Sequence, residues 1–235
     1  MKILAIDSSG LTATVALVFD GVMTAEYTTN FKKTHSQTLL PMIDEIVKMT
    51  GAELSEIDAI AIAAGPGSFT GLRIGSSTAK GLGLVLKKPI IPVPTVEGLA
   101  YNFYGSDRVI CPIMDARRSQ VYTGLYTFKD EEFCILSDQK AVGIEEIIEE
   151  VNQLGRPAVF LGDGVPVFKE KIQEMATVDV IFAPAHLGMQ RAAAVAVRGE
   201  ALYNEGKQET PAEHKPVYLR KSQAEREREA AQKGG

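Results

Sequence analysis

The stretch MKILAIDSSGLTATVALVFDGVMTAEYTTN, residues 1–30, decides the fold. Residues 2–7 are a short apolar run, residues 12–19 are rich in Val, Ala and Leu, and residues 22–29 carry Met23, Tyr27 and threonines. Asp20-Gly21 sits between the second and third runs and has the turn chemistry of a hairpin. Three sequential strands therefore open the chain. Beyond Asn30 the apolar spacing becomes helical over residues 36–49, strand-like over 57–63, helical again over about 71–86 and strand-like over 89–93. The order βββαβαβ describes a mixed sheet flanked by helices.

A short helix over residues 95–104 and the turn Gly105-Ser106-Asp107 place a lobe boundary near residue 104. Residues 109–114, 120–128 and 132–140 then read as three more strands, followed by a helix at 144–154 and a strand at 158–161. The second half thus begins by repeating the first. Helical segments are expected near 167–175 and 189–204, with the repeat incomplete after residue 161. The expected organisation is an N-terminal lobe over 1–104, a smaller divergent lobe over 105–220, and a charged tail over 221–235 that has no apolar face.

The 235 residues carry a formal net charge of -5, with 45% hydrophobic and 23% charged residues. That balance argues against a protein that holds nucleic acid alone, since phosphate binding draws on clustered Lys and Arg. Cys111 and Cys134 lie in separate strand-like segments without metal-site spacing and read as free thiols. Asp7 interrupts the opening apolar run at once, and no segment reaches the roughly 20 apolar residues of a membrane span, so a cytoplasmic protein is expected.

Four groups of residues are candidates for function. Asp7 and Ser8 stand in the turn after the first strand, where local hydrogen bonding alone also explains them. GPGSFTGLR, residues 65–73, joins a strand end to a helix start through Gly65, Gly67, Ser68, Thr70 and Arg73. Such a loop either cradles an anion or makes a tight connection against its own sheet. It is no Walker A motif, because the Gly-Lys-Ser/Thr ending is missing. In the helix that follows, Gly71, Gly75, Ala79 and Gly83 recur every four residues as a bare stripe, open either to a partner helix or to this protein's own sheet. In residues 36–49, Leu39, Met42, Ile43, Ile46 and Met49 belong to an apolar arc covering about half the helix, wider than the roughly 100° a core-facing stripe needs. His35 precedes that arc without a second ligand at metal spacing, and no nucleophile–histidine–acid set can be assembled.

MKILAIDSS at 1–9, THSQTLLPMID at 34–44, GPGSFTGLR at 65–73, MDARRSQVY at 114–122 and PVYLR at 216–220 together resemble the bacterial TsaB (YeaZ) family across nearly the whole chain. The resemblance implies two actin-like lobes of the ASKHA, ribonuclease H-like type. It also implies a non-catalytic role in making N6-threonylcarbamoyladenosine on tRNA. In that family TsaB pairs with its catalytic relative TsaD, the ATPase TsaE joins them, and tRNA is met through the complex. The resemblance places the partner interface on His35, Leu39, Met42, Ile43, Ile46, Met49 and the Gly71, Gly75, Ala79, Gly83 stripe. Asp7, Ser8, Gly65, Gly67, Ser68, Thr70 and Arg73 remain as a vestigial phosphate or loop site.

TsaD relatives carry His-x-x-x-His on the corresponding first helix, whereas here Leu39 follows His35 at that spacing, so no metal is expected. Superfamily kinases place a glycine turn under the phosphates at the start of the second lobe. This chain has Asp115-Ala116-Arg117-Arg118-Ser119 there, so no cofactor is expected in the isolated chain, and a nucleotide at the partner interface and self-association into a homodimer stay open. Arg117 and Arg118 read either as a solvated turn or as a contact for a partner's carboxylate or phosphate. An ATP-dependent phosphotransferase is the competing reading, and a peptidase a third, for which neither zinc pair nor triad is present.

Overall fold

The computed structural model describes residues 1–31 and 34–220, so the charged tail lies outside the described residues. β1 (Lys2–Asp7), β2 (Ala13–Phe19) and β3 (Val22–Thr29) form an antiparallel meander. α1 (His35–Thr50) leads to β4 (Ala59–Gly65), parallel to β1, and α2 (Phe69–Leu86) leads to β5 (Ile90–Pro94). The first sheet has the order β3-β2-β1-β4-β5. A short α3 (Thr95–Ala100) passes to the second lobe.

There β6 (Val109–Asp115), β7 (Gln120–Lys129) and β8 (Glu132–Gly143) repeat the meander, followed by α4 (Ile144–Leu154), β9 (Ala158–Leu161), α5 (Val165–Met175), β10 (Val180–Phe182) and α6 (Ala192–Asn204). The second sheet, β10-β9-β6-β7-β8, has the connectivity of the first. The repeat is therefore complete in its strands, contrary to the expectation of an eroded one. Its fifth strand is only 3 residues long and was too short to register as a period.

β1 shows why the first lobe needs helices on both sides. Alternate residues of a strand point to opposite faces. Leu4 and Ile6 join the core under α1 and α2, whereas Ile3 and Ala5 join a second core built with Ala192, Val195, Ala196 and Leu202 of α6. α6 thus belongs to the first lobe, and the expected division at residue 104 is corrected: the second lobe occupies the middle of the chain, and the chain then returns to the first sheet.

After α6 the return continues as a strap along α2. Glu209 pairs with Ile90 at the sheet edge, and Pro211 packs on Gly83. Lys80 donates through Nζ to the Ala212 and His214 carbonyls, and Val217 N–H donates to the Ala64 carbonyl. His214 is buried between Ser76 Oγ at 3.0 Å and Glu209 Oε2 at 3.1 Å. This serine–histidine–glutamate set escaped the sequence reading because residues 76 and 214 meet only in the fold. Its serine is 3% exposed and its histidine 1%, so no substrate can reach it, and it acts as a clasp.

Burial holds the His214 imidazole below its ordinary value, aided by Lys80 and opposed by the Glu209 hydrogen bond and charge. A histidine with a lowered folded-state value stabilises the fold fully above its unfolded value near 6.5, and the contribution is lost as pH falls below that. Amide hydrogen exchange in residues 209–217 is accordingly expected to accelerate as pH drops from about 7 to 5, after correction for intrinsic rates. Equal protection across that range would refute the clasp.

Candidate functional site: the interlobe cleft and the helical face

The two lobes face each other across a cleft of about 280 Å³ lined by Ser9, Gly10, Gly67, Asp115, Arg117 and Asp163 among others. Asp7 lies beneath it, 1% exposed, with Oδ1 accepting from Ser9 N–H at 2.8 Å and Ser9 Oγ at 2.6 Å. Burial pushes the Asp7 carboxyl up to about 6, against the two Ser9 hydrogen bonds and His35, with Asp163 adding to the rise. Asp163 is raised as well, chiefly by burial, and accepts from the Asp115 amide at 3.1 Å.

Asp163 was not singled out from the sequence. It sits between Gly162 and Gly164 after β9, the second lobe's counterpart of the loop after β4, and superposing the two halves of the repeat would have found it.

The loops around the cleft use many of their own amides. Ser9 N–H goes to Asp7, Ser68 N–H to the Ser9 carbonyl, Arg117 N–H to Asp115 Oδ1 and Gln120 N–H to the Arg117 carbonyl. A phosphate needs such donors free. These four amides are therefore not offered to an anion, and Asp115 and Asp163 add carboxylates to the lining.

The glycines of the 65–73 motif serve close internal contacts. A methyl group at Gly65, where φ is 123°, would overlap the Val217 carbonyl oxygen, and one at Gly67 would overlap that of Ser9. At Gly71 it would overlap the Ser8 carbonyl oxygen, and at Gly75 it would stand 2.5 Å from Ser8 Oγ. Ser8 Oγ itself donates to the Gly71 carbonyl at 2.9 Å, and Ser68 caps α2 by accepting from Gly71 N–H. Thr70 is exposed, and Arg73 lies with its guanidinium 4.0 Å from the Phe69 ring centre.

The expectation that the bare stripe faces a partner is thereby corrected. Gly71, Gly75, Ala79 and Gly83 are buried, turned toward the β1–β2 turn, the sheet and the strap. Leu39, Met42, Ile43 and Ile46 likewise pack into the first-lobe core, whereas Met49 is 78% exposed. His35 Nε2 is 2.9 Å from the Gly10 carbonyl oxygen, fastening the start of α1 to the β1–β2 turn.

Apart from Met49, what the helices present outward is a different set. α1 exposes Leu40 at 55% and Met49, and α2 exposes Leu84 at 61% and Val85 at 81%. Ser77 and Gly81 are exposed on α2, and a methyl group at Gly81 would meet nothing within 4 Å.

Comparison with known proteins now bears on this arrangement. The family described as TsaD, tRNA N6-adenosine threonylcarbamoyltransferase, matches residues 23–228. The tRNA threonylcarbamoyladenosine biosynthesis protein TsaB of Escherichia coli is 33% identical over 231 residues, covering 95% of this chain and 96% of that protein. The chain belongs to the TsaB family. The TsaB of Bacillus subtilis is 38% identical over 175 residues, 74% of this chain and 76% of its own. YeaZ from Pseudomonas aeruginosa superposes with a TM-score of 0.80 at 27% identity, covering 93% of this chain and 99% of that one. An Arthrobacter polyphosphate/ATP-glucomannokinase, 10% identical with a TM-score of 0.50 over 85% of this chain and 98% of its own, shares the fold alone. TsaB membership and the two matching sheets agree with the two-lobed actin-like fold expected from the sequence.

Proposed function

We propose that this protein is a non-catalytic accessory subunit of tRNA threonylcarbamoyladenosine biosynthesis that docks a TsaD-type partner on the outward faces of α1 and α2. TsaB membership supports the pathway. One observation carries the docking face: Leu84 and Val85 are exposed on the side of α2 that carries small Ser77 and Gly81, and Leu40 is exposed on the neighbouring α1. Apolar side chains around a low ridge suit close packing of a partner helix. This placement keeps the two helices proposed from sequence and replaces the residues that do the work.

Catalysis then rests with the partner, and this chain contributes shape. The amides already engaged around the cleft and the lack of a glycine turn at Asp115-Ala116-Arg117-Arg118-Ser119 disfavour a kinase-like reaction here. Calorimetry with ATP and magnesium is expected to show no binding tighter than about millimolar, an affinity worth roughly 4 kcal/mol. Micromolar binding with turnover abolished in Asp7→Asn would restore the phosphotransferase reading. A cytoplasmic location and recruitment of a TsaE-type ATPase follow from the same proposal, and among the described residues no helix is long and apolar enough to cross a membrane.

The decisive test is threonylcarbamoylation of tRNA by purified TsaD with its other partners, with and without this chain. Activity should require the chain, which alone should have none. Gly81→Leu is expected to weaken association with TsaD roughly ten-fold, about 1.4 kcal/mol, without lowering the melting temperature. Full-strength association of a well-folded Gly81→Leu protein, combined with the same result for Leu84→Arg, would remove α2 from the interface.

A further inference from the structure

We infer that the mouth of the interlobe cleft carries a contact strip for the RNA phosphate backbone, formed by Arg73, Arg220, Arg117 and Arg118 with Phe69 and Tyr218 between them. Arg73 lies over the Phe69 ring, and Tyr218 packs against that ring at a centroid distance of 4.7 Å with the planes tilted by 34°. Two residues beyond Tyr218, Arg220 Nη1 donates at 2.7 Å to the carbonyl of Ala116, the residue before Arg117. The strap thus joins the arginine of α2 to those of the second-lobe turn as one continuous line.

The turn is shaped to present its cations. Arg117, Arg118 and Ser119 all have left-handed backbones, with φ of 66°, 56° and 55°, an arrangement that costs energy for residues with side chains. Arg117 donates from its backbone amide to Asp115 Oδ1 at 2.8 Å and from its guanidinium Nη1 to Asp115 Oδ2 at 3.2 Å, and its side chain is 85% exposed. Among the described residues no carboxylate lies within ion-pair distance of Arg73 or Arg118. The protein as a whole is acidic, with a net charge of -5, so this concentration of guanidinium groups departs from the average surface.

The form of the strip favours RNA over a protein ligand. Arg73, Arg117 and Arg118 are exposed and strung out instead of converging on one point, with half-buried Arg220 linking them, as suits successive phosphates that stay partly hydrated and release counterions. A protein partner burying the same groups would need a carboxylate matched to each. Guanidinium groups also fit phosphate oxygens in a bidentate manner.

The inference rests on the proposed role in tRNA modification, and its test separates the two. Arg73→Gln with Arg118→Gln is compared with Lys129→Gln with Lys169→Gln, which removes the same charge elsewhere on the surface. Each is assembled with TsaD, and binding of an unmodified tRNA transcript is measured between 50 and 200 mM salt, alongside TsaD association and melting temperature. The arginine variant is expected to bind tRNA roughly ten-fold more weakly, with a salt slope smaller by about 2. Its TsaD association and melting should be unchanged, and the lysine variant should behave as wild type. Unchanged tRNA affinity in an intact complex would overturn the strip, as would equal losses in both variants. Weakened TsaD association with unaltered tRNA binding would assign these arginines to the protein interface and overturn it equally, leaving the accessory role standing.

Discussion

Gly75→Leu is expected to cost the first lobe about 3 kcal/mol or more, the upper end of what overpacking a close contact does. A methyl group alone at this position would stand 2.5 Å from Ser8 Oγ and 3.0 Å from Ile62 Cδ1, and leucine adds three further carbons in the same direction. Neither neighbour can yield readily, because Ser8 is pinned to the Gly71 carbonyl and Ile62 lies in the middle of β4. The melting temperature should fall by about 6–12 °C if the lobes unfold together. Gly81→Leu, on the opposite side of the helix, should melt as wild type. Similar melting for both variants would show that the stripe is not packed as described. Loss of TsaD binding in Gly75→Leu would report damaged folding, so Gly81 is the position from which to probe docking.

Asp7→Asn is expected to stabilise the protein at neutral pH. The carboxyl titrates near 6 in the folded state, against 3.8 for an ordinary aspartate. A raised folded-state value means that the native protein holds the proton more tightly than the unfolded chain does. Stability therefore falls as pH rises from about 4 to about 6, and above that window the buried charge costs on the order of 3 kcal/mol. Asparagine keeps an oxygen for the Ser9 N–H and hydroxyl and carries no charge. Its variant should melt several degrees higher at pH 7 and lose the decline between pH 4 and 6. A lower melting temperature at pH 7, with that decline retained, would rule out Asp7 as its source. Natural proteins keep such costs where function needs them, which makes Asp7 worth assaying in threonylcarbamoylation beside its stability.

The contrast between these positions explains what could be read in advance. The order βββαβαβ follows from local periods and turn residues, and the first fourteen elements, β1 to α5, stand where those signals put them. The stripe was legible as a row of small residues, but its direction was not, since glycine permits close approach without specifying what approaches. Likewise α6 shows its buried face in Ala192, Val195, Ala196 and Leu202, yet nothing local tells which of two sheets that face will cover. Asp163 and the Ser76–His214–Glu209 clasp depend on distant segments meeting. The exposed residues of α2 emerged only after the fold had claimed the rest of that helix, whereas Met49 of α1 already stood in the arc read from sequence.

The return of the chain to the first sheet also sets an order for biosynthesis. The second lobe is contiguous in sequence, ending near residue 184, and can complete its sheet while the remainder is still being made. The first lobe holds its opening strands before then but lacks α6, which covers one side of its sheet, and the strap that lies on α2. On the ribosome, where domains emerge from the N-terminus at about 5–20 residues per second, the lobe begun first is therefore finished last. Ile3, Ala5, Ala59 and Ala61 wait with an open apolar face until roughly 130 further residues have followed β4.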